Sequence, residues 1–164
     1  MVKMINESLI ERPFSTVSYV LLERRGSMNA IALLTQEHEK LRPFLHSIAE
    51  ACSEKNTGAL NQALDAAQRT LSVDLDHHIG LEDTVVFPRF AQSIGAEMVE
   101  VFIDDHREIQ SMRDRLYSAD TSERHSLALA LEEMLQEHMD REEHMLFPAA
   151  TNEMKRELLE LESD

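Results

Sequence analysis

The chain has 164 residues, enough for one domain with a substantial core. It holds only four glycines and four prolines among abundant Ala, Leu, Glu and Met, a helix-forming composition. Its formal charge of −15 argues against a nucleic-acid or anionic-membrane partner, since both need basic surface.

The single Cys52 excludes an internal disulfide and any cysteine-built zinc or iron–sulfur site. No apolar run is long enough to span a bilayer, and no N-terminal stretch has the pattern of a secretory signal. The expectation is a soluble, cytoplasmic protein.

Residues 1–27 differ from the rest. Pro13 interrupts them, and Ser15 to Leu22 has partly β-like character. They read as an N-terminal arm or tail, which could pack on residues 28–164 or form a dimer contact. From Ser27 or Asn29, both good N-caps, a helical pattern runs to Glu54 with the stripe Leu34, Leu41, Leu45, Ile48 and Cys52. His38 falls within that stripe, and Pro43 should kink the helix or force a local adjustment. Asn56-Thr57-Gly58 reads as a loop and cap.

The second helix carries Leu60, Leu64, Ala67, Leu71 and Leu75, and its stripe extends to His78, Glu82 and Val86. Gly80 is expected to permit close packing beside these residues. Pro88 should stop or bend the helix. A third helix, from Ala96 to Ser118, carries Val99, Phe102, Ile109, Met112 and Leu116, with His106 inside the stripe. Asp120 with Glu123 resembles a capping box for a fourth helix. That helix bears Leu127, Leu131, Met134 and Leu135, then His138, Glu142 and Met145. After Pro148, a short fifth helix is expected to about Leu161.

The two halves repeat. Each has a helix with one inward histidine, followed by a helix with His-x-x-x-Glu, an acid, three residues and Phe-Pro: His78 to Pro88 and His138 to Pro148. Side chains at i and i+4 share a helix face, so each motif aims an imidazole and a carboxylate at one point. The architecture expected is an all-α, up-down-up-down four-helix bundle with an N-terminal arm and a short C-terminal helix.

Four imidazoles and two carboxylates on core-facing positions are costly unless paired or metal-bound. One buried histidine would read as a hydrogen-bonded core residue; six polar groups repeated in register read as metal ligands: His38, His78, Glu82, His106, His138 and Glu142. His77 points about 100° away from His78 on an ideal helix and reads as a supporting or surface residue. His46 lies at the edge of its stripe, and His125 and His144 read as solvent-facing. Asp83 and Glu143 also lie off the inward face and read as solvated acids, with a hydrogen bond to a ligand imidazole as the alternative. Met98, Met112, Met134, Met139 and Met145 read as core packing.

Nitrogen and oxygen ligands without thiolate suit iron, manganese or zinc, and this set leans towards redox-active iron. Two carboxylates and four imidazoles suit two ions better than one. The simplest arrangement gives one ion His38 and His78 and the other His106 and His138, with Glu82 and Glu142 bridging. A small diatomic ligand or peroxide could then bind at an open position.

At these residues the chain resembles the hemerythrin-like, HHE cation-binding family. The resemblance covers about residues 28 to 150 and rests on His38, His78-x-x-x-Glu82, His106 and His138-x-x-x-Glu142, with Phe-Pro after each motif. It implies a four-helix bundle enclosing a non-haem di-iron centre. Family members include oxygen carriers, oxygen or nitric-oxide sensors, ubiquitin-ligase subunits and proteins that repair iron–sulfur clusters. The carriers have a second histidine one turn after the third-helix ligand, where this chain has Gln110. Their last carboxylate is an Asp one position beyond Glu142. The repair proteins have the more symmetric centre seen here, together with an N-terminal cysteine segment that residues 1–27 lack. The function implied is binding or sensing of O2, NO or peroxide. An iron donor for cluster repair and an enzyme acting on peroxide or NO are alternatives, and a separate protein partner or a homodimer is compatible with each. Gln110 is expected to face the ion held by His106 and His138 and either to hydrogen-bond an exogenous ligand or to line the pocket.

Overall fold

The computed structural model describes the backbone of residues 16–161 and the side chains of residues 30–156. Four helices follow one another: α1 (Thr16–Ser53), α2 (residues 57–94), α3 (Ala96–Ser118) and α4 (residues 121–161). Helix α1 begins at Thr16, upstream of the expected caps Ser27 and Asn29, so part of the expected arm is helical backbone; residues 1–15 lie outside the described residues. Its helical hydrogen bonding continues through Pro43. Among the described residues no helix is long and apolar enough to cross a membrane.

The connections are short because their chemistry is local. Lys55, at φ 51°, turns the chain out of α1. Asn56 then caps α2 by accepting from the Ala59 N–H at 3.0 Å. Gly95, at φ 95°, is the whole connection between α2 and α3, in a backbone conformation that suits glycine. Asp120 caps α4 by accepting from the N–H groups of Ser122 and Glu123 at 2.8 and 3.1 Å.

Two apolar clusters fill the bundle. One contains Leu41, Leu45, Ile48, Leu60, Leu71, Ile109, Leu116, Leu131 and Leu135; the other contains Leu34, Val86, Phe87, Phe90, Phe102, Leu146 and Phe147. Helices α1 and α3 run from the second cluster into the first, and α2 and α4 run back. In every helix the inward histidines and glutamates fall between the two clusters. They therefore form one layer across the bundle, with hydrocarbon at both ends, while buried Arg113 lies outside it, between Ile109 and Leu116 of the first cluster.

Pro88 and Pro148 do not end their helices. Each follows a widened π-type turn, Glu82–Val86 and Glu142–Leu146, closed by Phe87 N–H to Glu82 O and by Phe147 N–H to Glu142 O. In a regular helix the proline ring would clash with the carbonyl four residues back. The extra residue in the turn shifts that register, so Pro88 stands in the first turn of the segment Phe87–Ile94, where a missing N–H costs little. The expected C-terminal helix is present as Phe147–Leu161 and continues directly from the fourth.

The same turns move the core stripe by one position. After Glu142 the next buried residues are Leu146 and Phe147, while Met145 is 63% exposed rather than packed. Met98 is likewise exposed beside buried Val99. Gly80 serves no close approach, since a Cβ placed there meets nothing within 4 Å. Its carbonyl instead accepts from the Thr84 hydroxyl at 2.6 Å, at the start of the π-turn.

Candidate metal centre

All six expected ligand residues lie in the polar layer, and all are buried: His38, His78, Glu82, His106, His138 and Glu142. The His38 and His78 Nε2 atoms stand 3.1 Å apart, and those of His106 and His138 stand 3.0 Å apart. The carboxylates span the two pairs. Glu82 Oε2 lies 3.4 Å from His78 Nε2 and 3.2 Å from His106 Nε2. Glu142 lies 3.3 Å from His38 Nε2 through Oε2 and 3.2 Å from His138 Nε2 through Oε1. Two overlapping four-residue groups result, each one histidine pair with both glutamates, and their ligand atoms lie within 4.8 Å of one another.

The outer nitrogens determine what the inner ones can do. Each Nδ1 has its own carboxylate: His38 donates to Glu143 at 2.8 Å, His78 to Glu37 at 2.8 Å, His106 to Asp83 at 2.8 Å and His138 to Asp105 at 3.2 Å. With Nδ1 protonated, each neutral ring turns a lone pair inward from Nε2. These links form a closed circuit round the bundle. Glu37 joins α1 to α2, Asp83 joins α2 to α3, Asp105 joins α3 to α4, and Glu143 joins α4 back to α1. Cations anchor two of the four. Arg42 donates to Glu143 at 3.1 Å and to Asp140 at 2.9 Å, and Arg141 pairs with Asp105.

Asp83 and Glu143 are therefore not free solvated acids. They lie one residue beyond an inward glutamate, and the rotation that takes them off the central axis aims them at the neighbouring helix. Glu37 and Asp105, one residue before an inward histidine, do the same. The available signal was their repetition in register, Glu37 with Asp105 and Asp83 with Glu143. Asp83→Ala is expected to lower metal affinity by about 10- to 100-fold, read by chelator competition with the helical circular dichroism unchanged.

The Phe-Pro ends of the two motifs have a second role. Phe87 stacks on His106, with centroids 5.4 Å apart and planes at 8°, and Phe147 stacks on His38 at 6.1 Å and 13°. Each motif thus supplies the aromatic wall for a histidine of another helix.

Gln110 does not face the centre. Its amide donates to Asp76 at 3.2 Å, beside Arg113, which also donates to Asp76. The expected placement of Gln110 in the pocket is wrong. The Asp76 carboxylate draws the amide across to α2. His77, His46 and His144 are exposed, and His144 bonds the Asp140 carbonyl at 2.8 Å. His125 is half-buried, within 3.3 Å of the Cys52 carbonyl, instead of solvent-facing.

The inward oxygens show what the centre is suited to hold. All four carboxylate oxygens of Glu82 and Glu142 are buried without a hydrogen-bond partner. The nearby Nε2 atoms satisfy the distance for an ion pair but not the geometry of a hydrogen bond. Carboxylate oxygens and inward lone pairs are all acceptors, and an uncompensated cluster of them is costly. A cation between them compensates every group at once. The donor set and its geometry therefore fit metal cations.

Without a cation, protons perform part of that task. Burial opposes a charge on His138, but the hydrogen bond to Asp105 and the nearby Glu142 carboxylate prevail and push it up to about 9. Burial, with Glu142 alongside, raises the Glu82 carboxyl well above its ordinary range. Burial alone also pushes the Glu142 carboxyl up, but His138 and His38 bring it down. Burial lowers His78 and His106. A metal must displace the protons of His138 and Glu82, so binding releases protons. Affinity is expected to rise with pH from neutrality to about 9 and to flatten above it. Competition titrations across that range, with proton release followed in weak buffer, check the sign.

A cavity of about 490 Å³ opens onto the centre, and His38, His78, His106 and His138 all line it. A family model, hemerythrin HHE cation binding domain, matches residues 29–150. No curated protein and no solved structure matches the chain.

Proposed function

Because the chain belongs to the hemerythrin HHE cation-binding domain family, we propose that its buried cluster holds two iron ions and that the protein binds or senses O2, NO or peroxide through them. The observation that carries this reading is the pair of glutamates spanning two histidine pairs, with four carboxylate oxygens left without a partner. His38 and His78 would hold one ion, His106 and His138 the other, and Glu82 and Glu142 both. Iron in such a nitrogen and oxygen set supplies redox chemistry and an open coordination position for a small ligand.

The protein's own groups determine the rest. The circuit of Glu37, Asp83, Asp105 and Glu143 keeps the four imidazoles in one tautomer and one orientation. Phe87 and Phe147 exclude water from one side of the layer, and the cavity gives access from the other. Among the described residues the ligand set is near-symmetric, which supports two ions of similar affinity.

Protein produced with adequate iron is expected to contain about two iron ions per chain. Metal analysis, with visible absorption spectra recorded under air and under anaerobic NO, tests this. A spectrum that responds to neither gas, or at most one ion per chain in protein saturated with iron, sinks the reading.

A further inference from the structure

The cavity above the histidines is larger and more apolar than a diatomic molecule requires. At about 490 Å³ it falls among pockets that enclose whole organic ligands, roughly 300–1,000 Å³. Its walls are hydrocarbon: Leu41 and Phe44 from α1, Ile79 from α2, Ile109 from α3, and Leu135 and Met139 from α4. Its floor is the four imidazoles. Polar groups lie round its outer edge, the carboxylates of Glu37 and Asp74 with Lys40, Thr70 and His77, beside Val73, which is 60% exposed.

That edge has a structure of its own. Thr70–Asp74 is a third π-turn, and it breaks the symmetry of the halves, because Thr121–Arg141 of α4 runs as regular α-helix. The buried guanidinium of Arg113 donates to the Leu71 carbonyl at 3.3 Å and to Asp76 at 2.5 Å, bracing the widened turn from α3. A diatomic ligand would leave most of these walls facing water. An alkyl or aryl body would displace that water and bury its own apolar surface, and only its head would meet polar groups.

We propose that this cavity binds an organic molecule with an apolar body and an oxygen head group, the body against Leu41, Phe44, Ile79 and Met139 and the head at the histidine floor. The metal reading bears only on what the head group meets, since the walls act without a metal.

The test is a calorimetric titration of the full chain, metal-loaded and metal-free, with straight-chain primary alcohols from ethanol to octan-1-ol. Alcohols are uncharged, so the acidity of the protein does not bias the series. Affinity is expected to tighten by about fourfold per methylene until the cavity is filled. Val73→Trp replaces an exposed side chain at the outer edge and should weaken octan-1-ol binding by at least about tenfold, with metal content and thermal midpoint unchanged. Affinity that does not grow with chain length overturns the proposal, as does octan-1-ol binding that Val73→Trp leaves intact. Chain-length dependence in the metal-free protein decides the matter even if no metal loads, and metal content, measured separately, decides the metal reading.

Discussion

Glu82→Leu is expected to abolish metal binding at both positions and, in the same protein, to stabilise the metal-free fold. The first effect follows from geometry, because Glu82 Oε2 is within 3.4 Å of His78 and 3.2 Å of His106, one histidine from each pair. The second follows from what Glu82 costs without a metal. Its side chain is fully buried and neither oxygen has a hydrogen-bond partner. Removing a buried unsatisfied polar group typically recovers about 1–3 kcal/mol. Leucine is of similar size and would sit against Val86 and Phe87 at the edge of the second apolar cluster. Metal analysis and urea denaturation of the metal-free protein measure the two effects. A variant that loses metal and is also less stable than the parent metal-free protein would show that Glu82 is already compensated. The polar layer would then be a structural network with no need of a cation.

His78→Ala and His138→Ala are expected to lower metal affinity by well over about 100-fold, more than the loss of a supporting carboxylate. His77→Ala and His144→Ala are expected to leave it within about twofold, since surface changes away from such features are nearly neutral. The neighbours provide the control. His77 and His78 are adjacent in sequence, yet His77 is exposed and the His78 ring is held between Glu37 and the centre. Chelator competition on the four variants distinguishes them. Equal loss from His77→Ala would place the ligand on the wrong face of α2. The two glutamates and the two histidines should behave unequally in the metal-free state, because only the glutamates are orphaned there.

What could be read from the residues alone was set by local geometry. The i, i+4 relation fixes which side chains share a helix face, so the stripes of α1 to α4 and the inward set of His38, His78, Glu82, His106, His138 and Glu142 were legible from spacing. The repeat supplied the rest, since two copies of one motif in a bundle imply one shared layer. Asn56 and Asp120 were legible as caps for the same reason, because a cap acts within one turn.

The features that spacing misplaced depend on contacts between helices or on the register of a single turn. Pro88 read as a stop or bend, and Pro148 as the stop before a further helix, because proline breaks a regular α-helix; the π-turns before them re-phase the backbone and let it continue. Met145 left the core for the same reason. Asp83, Glu143, Glu37 and Asp105 lie off the inward face of their own helices, and only the neighbouring helix shows that each meets an imidazole. Gln110 shares the helical offset that would bring it to the centre, but Asp76 on α2 takes its amide elsewhere. A sequence by itself determines the face a side chain occupies, because that is a property of one helix. What the side chain touches was decided by the tertiary structure, because hydrogen-bond partners across a bundle are fixed only when the helices pack.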